Sequence, residues 1–350
     1  MNIDNYLRDY KILIFAGNGG TGKTTLSAAW AMEAAERGKN VGLITIDPSR
    51  RLGDAFGMDV LNEAYRRKAV GDNFVDVFLI DSEKTIKEFV LKNFSQEFHD
   101  QLLRNKLFSQ VATILSENQS VSTIYKLAEM IESKNYDLIV VDTPPSNHAL
   151  DFFRSPEHVF RIFKENIIAK AVLEAKGLKF WSSKKIFIRV LSYLAGEEFV
   201  QEMESFFLAL FSFQEHIVNS AQKLEKCLKS RDVSYFLVSL PEEDKIREVL
   251  GLARDLQDQS ISVRNLVINR AHPEWLSITE KLEGFSQSAV NFQVYYEKLW
   301  VYYREQSRKL EELMKSMRSD LTVYQVPEMS VMREEFSLPA VQETVRKVFV

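Results

Sequence analysis

Eight consecutive residues, Gly17-Asn18-Gly19-Gly20-Thr21-Gly22-Lys23-Thr24, constrain this chain more tightly than anything else in it. They stand between a β-rich stretch at 11–16 and a helix-rich one at 24–37; Gly38 closes the helix and a second β-rich stretch follows at 41–46. The pattern G-x-x-x-x-G-K-[ST] between a strand and a helix predicts a phosphate-binding loop at the head of a βαβ unit. Its glycines admit backbone conformations closed to other residues, so successive N–H groups can turn inward onto phosphate oxygens, beside the positive end of the helix dipole. Gly19, Gly20, Thr21 and Gly22 are expected to form that cradle. Lys23 should reach the β- and γ-phosphates, the Thr24 hydroxyl should coordinate Mg2+, and Thr25 should touch the α-phosphate.

Two acidic strand ends complete the set. Ile44-Thr45-Ile46-Asp47 places Asp47 at the carboxyl rim of a sheet, where such folds bind ligands and where a carboxylate can orient an attacking water. Tyr136-Asp137-Leu138-Ile139-Val140-Val141-Asp142 is an apolar strand ending in aspartate, the form of a Walker-B element. Asp142, like Asp47, is expected to hold Mg2+ through water. Pro144 and Pro145 forbid an immediate helix, leaving residues 143–148 free to respond to a γ-phosphate. Lys23, Asp47 and Asp142 are therefore the expected catalytic groups.

Further short apolar runs at 74–80, 138–141, 234–238, 265–268 and 321–326 read as buried strands of a mostly parallel sheet flanked by helices, an α/β fold. Between 152 and 229 no strand pattern occurs, and apolar residues recur at helical spacing. That predicts a discontinuous P-loop domain of 1–151 and 230–350 around a helical insertion subdomain at 152–229. A second helical stretch is expected at 275–317. Leu338, Val341, Val345 and Val348 predict an amphipathic C-terminal helix that docks on its own sheet.

A net charge of −4 supplies no basic field for nucleic acid, so none is expected as a partner. The single cysteine, Cys227, and a start without the regions of a signal peptide point to a reducing, cytoplasmic setting. No apolar run approaches the roughly 20 residues of a transmembrane helix.

Residues 17–25, the run Asp47-Pro48-Ser49-Arg50-Arg51-Leu52-Gly53-Asp54-Ala55-Phe56 and the run Asp142-Thr143-Pro144-Pro145-Ser146-Asn147-His148-Ala149-Leu150 together resemble the ArsA/GET-like, or anion-transporting, ATPases. These are deviant-Walker relatives of MinD and ParA, and the resemblance covers nearly the whole chain. It implies a P-loop NTPase of the SIMIBI type that binds and hydrolyses ATP with Mg2+. It also implies an ATP-bound dimer and a helical subdomain whose arrangement changes with the nucleotide; control of a protein client, membrane-associated or not, through that subdomain is the expected mechanism. Val267-Ile268-Asn269-Arg270-Ala271-His272-Pro273 is similar to the family's late strand whose asparagine reads adenine, and Val326-Pro327-Glu328 to its adenine-packing loop. Asn269 and Pro327 are assigned to the base on that resemblance alone.

One position departs from the family. Its loop usually reads Gly-Lys-Gly-Gly, and here Asn18 stands where the lysine would reach across the dimer to the partner's nucleotide. Losing a cation from a transition-state contact slows turnover by orders of magnitude. Either a slowly hydrolysing homodimer or a heterodimer with a paralogous subunit that donates the lysine is expected. A nucleotide-dependent scaffold and a small-molecule kinase are the alternatives. Arsenite and zinc sites need several sulfur ligands, which Cys227 alone cannot supply. The aromatic face around Phe199, Phe206, Phe207, Phe211 and Phe213, and the basic stretch Lys176, Lys179, Lys184, Lys185 and Arg189, are more simply a packed face and a solvated one.

Overall fold

Strands apolar on both faces are stable only inside a sheet covered on both sides, and the apolar runs of this chain fall there. The computed structural model describes residues 2–46, 52, 56, 65–93, 119–145, 149–150, 152–154, 215–271, 287–316, 321–328 and 338–349. Eight strands form one sheet: β1 Ile12–Gly17, β2 Val41–Thr45, β3 Tyr65–Val70, β4 Asn73–Leu79, β5 Leu138–Pro145, β6 Val233–Ser239, β7 Asn265–Ala271 and β8 Thr322–Pro327. Their order is β3-β4-β2-β5-β1-β6-β7-β8, parallel throughout except for β3 against β4. The helices are α1 Ile3–Asp9, α2 Lys23–Glu36, α3 Ser82–Asn93, α4 Gln119–Ser133, α5 Glu243–Asp258, α6 Gln287–Ser316 and α7 Leu338–Val348. Residues 215–228 are helical as well.

β1 lies between β5 and β6, so the loop leaving its carboxyl end is flanked by strands on both sides. Every residue of β1, β2 and β6 is buried, which explains why they read as continuous apolar runs. The expected strands are all present. β3 has no counterpart in the sequence reading. It is an antiparallel edge strand, Tyr-Arg-Arg-Lys-Ala-Val, with no fully buried residue, and therefore carries neither alternation nor an apolar run. The available cue was its turn, where Gly71 takes φ 59° just before Asp72.

Contacts divide the chain into two compact units. One comprises Met1–Leu79, Lys134–Leu150 and Leu228–Val350; the other comprises Ile80–Ser133 and Asp151–Cys227. All eight strands belong to the first. In the second, α3 packs on α4, with the Phe89 ring edge-on to Tyr125 at 5.2 Å and to His216 at 5.7 Å. The phenylalanine cluster at 199–213 and the basic stretch at 176–189 lie outside the described residues. Among the described residues, no helix is long and apolar enough to cross a membrane.

The C-terminal helix packs against α2 and β8, as its apolar spacing required. Phe349 stacks on Tyr324 at 4.2 Å and meets Trp30 edge-on at 5.0 Å, pairs worth about 0.5–1.5 kcal/mol each beyond area burial. Beside this cluster Glu33, 1% exposed, accepts hydrogen bonds from Arg37 at 2.7 Å, Arg346 at 2.6 Å and Gln342 at 3.0 Å. Burial alone would raise its carboxyl, but the bonds from Gln342, Arg37 and Arg346 outweigh it and hold Glu33 below the usual carboxylate range.

A depressed folded value means that this contribution is complete above the unfolded carboxylate pKa and fades as pH falls through the folded one. Arg346→Ala should cost about 2 kcal/mol at neutral pH, since Arg37 still faces the buried charge. The deficit relative to the native chain should shrink below the unfolded value of 4.5 as Glu33 protonates. Urea denaturation across that pH range checks both the size and the sign.

Candidate functional site

The turn out of β1 can be made only by glycine. Gly17 takes φ 146°, and a Cβ there would lie 2.1 Å from the Val238 carbonyl oxygen of β6. Five residues on, Gly22 caps the start of α2 at φ 88°, and its Cβ would sit 2.3 Å from Asn269 Nδ2. Gly17 leaves room for the main chain of β6, and Gly22 for the side-chain amide of Asn269. Gly19 and Gly20 between them are exposed at the mouth of the loop.

Hydrogen bonds fix the loop internally. Thr21 Oγ1 donates to the Asn18 carbonyl at 2.9 Å, and Lys23 Nζ donates to the same oxygen at 2.7 Å. From β7, Asn269 Nδ2 donates to the Thr21 carbonyl at 2.7 Å. Lys23 is only 5% exposed, so its ammonium is held within the loop's own wall and aligned along it. Thr25 follows in the first turn of α2, half-buried.

The opposite wall is the end of β5. In the register of the sheet Asp142 lies across from both Phe15 of β1 and Thr45 of β2, which brings three strand ends to one point. Its carboxylate is fully buried, and Oδ2 accepts from Thr24 Oγ1 at 2.8 Å and Thr45 Oγ1 at 3.0 Å. The next residue ties the strands together, with Thr143 Oγ1 donating to the Phe15 carbonyl at 3.0 Å. A hydroxyl and an anionic oxygen are hard donors, the kind Mg2+ takes while keeping several of its waters. Among the described residues no group of three His, Cys, Asp or Glu side chains is placed to hold a metal ion. The Thr24 hydroxyl and the Asp142 carboxylate suit an open site completed by phosphate and water.

The structure thus brings together Gly19, Gly20, Thr21, Gly22, Lys23, Thr24, Thr25 and Asp142. Asp47 and His148 lie outside the described residues, although Ile46, just before Asp47, donates its N–H to the Asp142 carbonyl at 2.9 Å. Asn269 stands against the phosphate loop, and Pro327 lies on the neighbouring strand opposite Ala271, lining a cavity of about 370 Å³. Between Asn269 and Ala271 the pairing of β7 with β8 slips, and Arg270 takes a left-handed φ of 53° there. Two partners were not anticipated. Thr45 is the one polar end of an otherwise apolar strand, a cue that was available. The burial of Asn18 was not, because its partner is a main-chain carbonyl far along the chain.

The sequence model of the anion-transporting ATPase family matches residues 10–309. "Putative arsenical pump-driving ATPase 2" of Aquifex aeolicus is 26% identical over 324 residues, 87% of this chain and 98% of its own length. "ATPase ASNA1 homolog 1" of Paramecium tetraurelia is 26% identical over 266 residues, and "ATPase get3" of Schizosaccharomyces japonicus 25% over 261; each match covers 74% of both chains.

Proposed function

The chain belongs to the anion-transporting ATPase family, and on that premise we propose that it is a Mg-ATP-driven dimeric switch acting on a protein partner. The observation that carries this reading is the convergence of Lys23, Thr24 and Asp142 on the phosphate loop, with Lys23 held to the Asn18 carbonyl and Thr24 bonded to the buried Asp142 carboxylate. Phosphate oxygens of ATP are received by the N–H groups of residues 19–22, with Lys23 balancing the β- and γ-phosphate charge. Thr24 and, through water, Asp142 hold Mg2+, which when bound neutralises charge developing on the transferred phosphoryl group. Asp47 orients the attacking water. Asn269 and Pro327 flank the adenine.

The nucleotide domain in this reading is 1–151 with 230–350, and the helical insertion at 152–229 presents the client surface. ATP shifts the balance between two arrangements of that surface by binding one better than the other. Relatives carry names that refer to arsenical pumps. With Cys227 as its one cysteine, this chain cannot assemble the several thiolates that arsenite takes.

Asn18 favours a slowly hydrolysing form of the switch, either a homodimer or a heterodimer in which a paralogous subunit supplies the missing cation; the alternative is a nucleotide-dependent scaffold that binds ATP with little release of phosphate. Mass measurement with ATP, with ADP and without nucleotide tests the assembly. A doubled mass specific to ATP is expected, and a mass that ignores nucleotide sinks the homodimer. Addition of a lysine-bearing paralogue should raise phosphate release well beyond the sum of the two chains; simple additivity removes the heterodimer.

A further inference from the structure

At the position where relatives are expected to carry an outward-reaching lysine, this chain turns its side chain inward. Asn18 is 1% exposed, and its Nδ2 donates to the carbonyl of Lys245, in the first turn of α5, at 3.0 Å. Only a donor can face that carbonyl, which fixes the amide's orientation. Its Oδ1 is left buried with no hydrogen bond from the described residues. A buried amide oxygen without a partner is an appreciable cost, tolerated where the other half of the group is needed. The helix it holds has no side-chain cap of its own, since Glu242 at its N-cap makes no capping bond. Asn18 therefore provides a side-chain tether to the start of α5.

The main chain of the same residue bears the other load. The Asn18 carbonyl accepts from Lys23 Nζ at 2.7 Å and from Thr21 Oγ1 at 2.9 Å. We infer that Asn18 is a positioning residue that couples the phosphate loop to α5 within one subunit, in place of a contact across a dimer. This inference rests on Lys23 meeting ATP as proposed above. Phosphate oxygens arriving at Lys23 draw its ammonium away from the Asn18 carbonyl or share it, and either changes the pull on the peptide whose side chain holds α5. Coupling of this kind is reciprocal, so the hold on α5 also sets ATP affinity.

The test compares native chain with Asn18→Ala and with Asn18→Asp, an isostere that sets a carboxylate oxygen against the Lys245 carbonyl. ATP affinity is measured first, then backbone hydrogen exchange over residues 239–250 without nucleotide and with saturating Mg-ATP. In the native chain ATP should alter exchange in that segment. In both variants ATP should bind about tenfold more weakly, the equivalent of about one hydrogen bond, and at saturation leave the exchange of 239–250 unaltered. A general structural role would change stability and baseline exchange but leave the response to ATP. Variants that respond like the native chain overturn the inference. So does a native chain that binds ATP with no response in 239–250, a result that stands even where a variant fails to fold. A native chain that binds no ATP instead overturns the nucleotide reading on which the inference rests.

Discussion

Gly17→Ala should cost more than about 4 kcal/mol, enough to threaten the fold of the whole nucleotide unit. The added Cβ would sit 2.1 Å from the Val238 carbonyl oxygen and 3.0 Å from its carbon, all main-chain atoms of β6 in the middle of the sheet. No flexible side chain can move aside, and φ 146° is itself closed to alanine. Relief would require β1 and β6 to separate, and that pairing runs along the full length of β1. Gly20→Ala is the internal control. Nothing lies within 4 Å of its Cβ, so only the strain of φ 76° remains, of order 1–2 kcal/mol. Chemical denaturation of the two variants should separate them clearly; equal losses would show that strain in the loop, not the approach to β6, sets the glycine requirement.

Asp142→Asn should lower Mg-ATP turnover by about 100-fold while leaving the fold nearly intact. Among the described residues, the hydroxyls of Thr24 and Thr45 donate to the same carboxylate oxygen, Oδ2. An asparagine can present its carbonyl oxygen to both and keep those bonds, so the substitution removes charge with little loss of packing. Without that charge Mg2+ loses its buried counter-ion, and the concentration for half-maximal rate should rise about tenfold. A Mg2+ titration of phosphate release checks this. Unchanged rates and unchanged metal dependence would remove Asp142 from the metal site.

Much of this was legible because the chain states it locally. The phosphate loop, α2 and the strands buried on both faces announce themselves through glycine spacing and unbroken apolar runs, and the acidic end of β5 marks the rim of the sheet. What escaped the sequence depends on partners distant along the chain. Asn18 finds the carbonyl of Lys245 and Asn269 finds that of Thr21, contacts that no spacing rule encodes. Main-chain acceptors exist at every residue and leave no mark in composition. β3 escaped for the opposite reason, because an edge strand with no fully buried residue buries too little of either face to display a pattern. Asn269 shows how a resemblance can be incomplete: it supplied the base as a partner but not the loop carbonyl that the amide holds.

Phosphate release from Mg-ATP, followed for native chain and Lys23→Ala alongside equilibrium ATP binding, tests the central claim most directly. The account predicts that the native chain binds ATP and releases phosphate slowly, as Asn18 requires, and that Lys23→Ala reduces release by at least about 100-fold. A native chain that binds no ATP, or a release rate indifferent to Lys23→Ala, would contradict it.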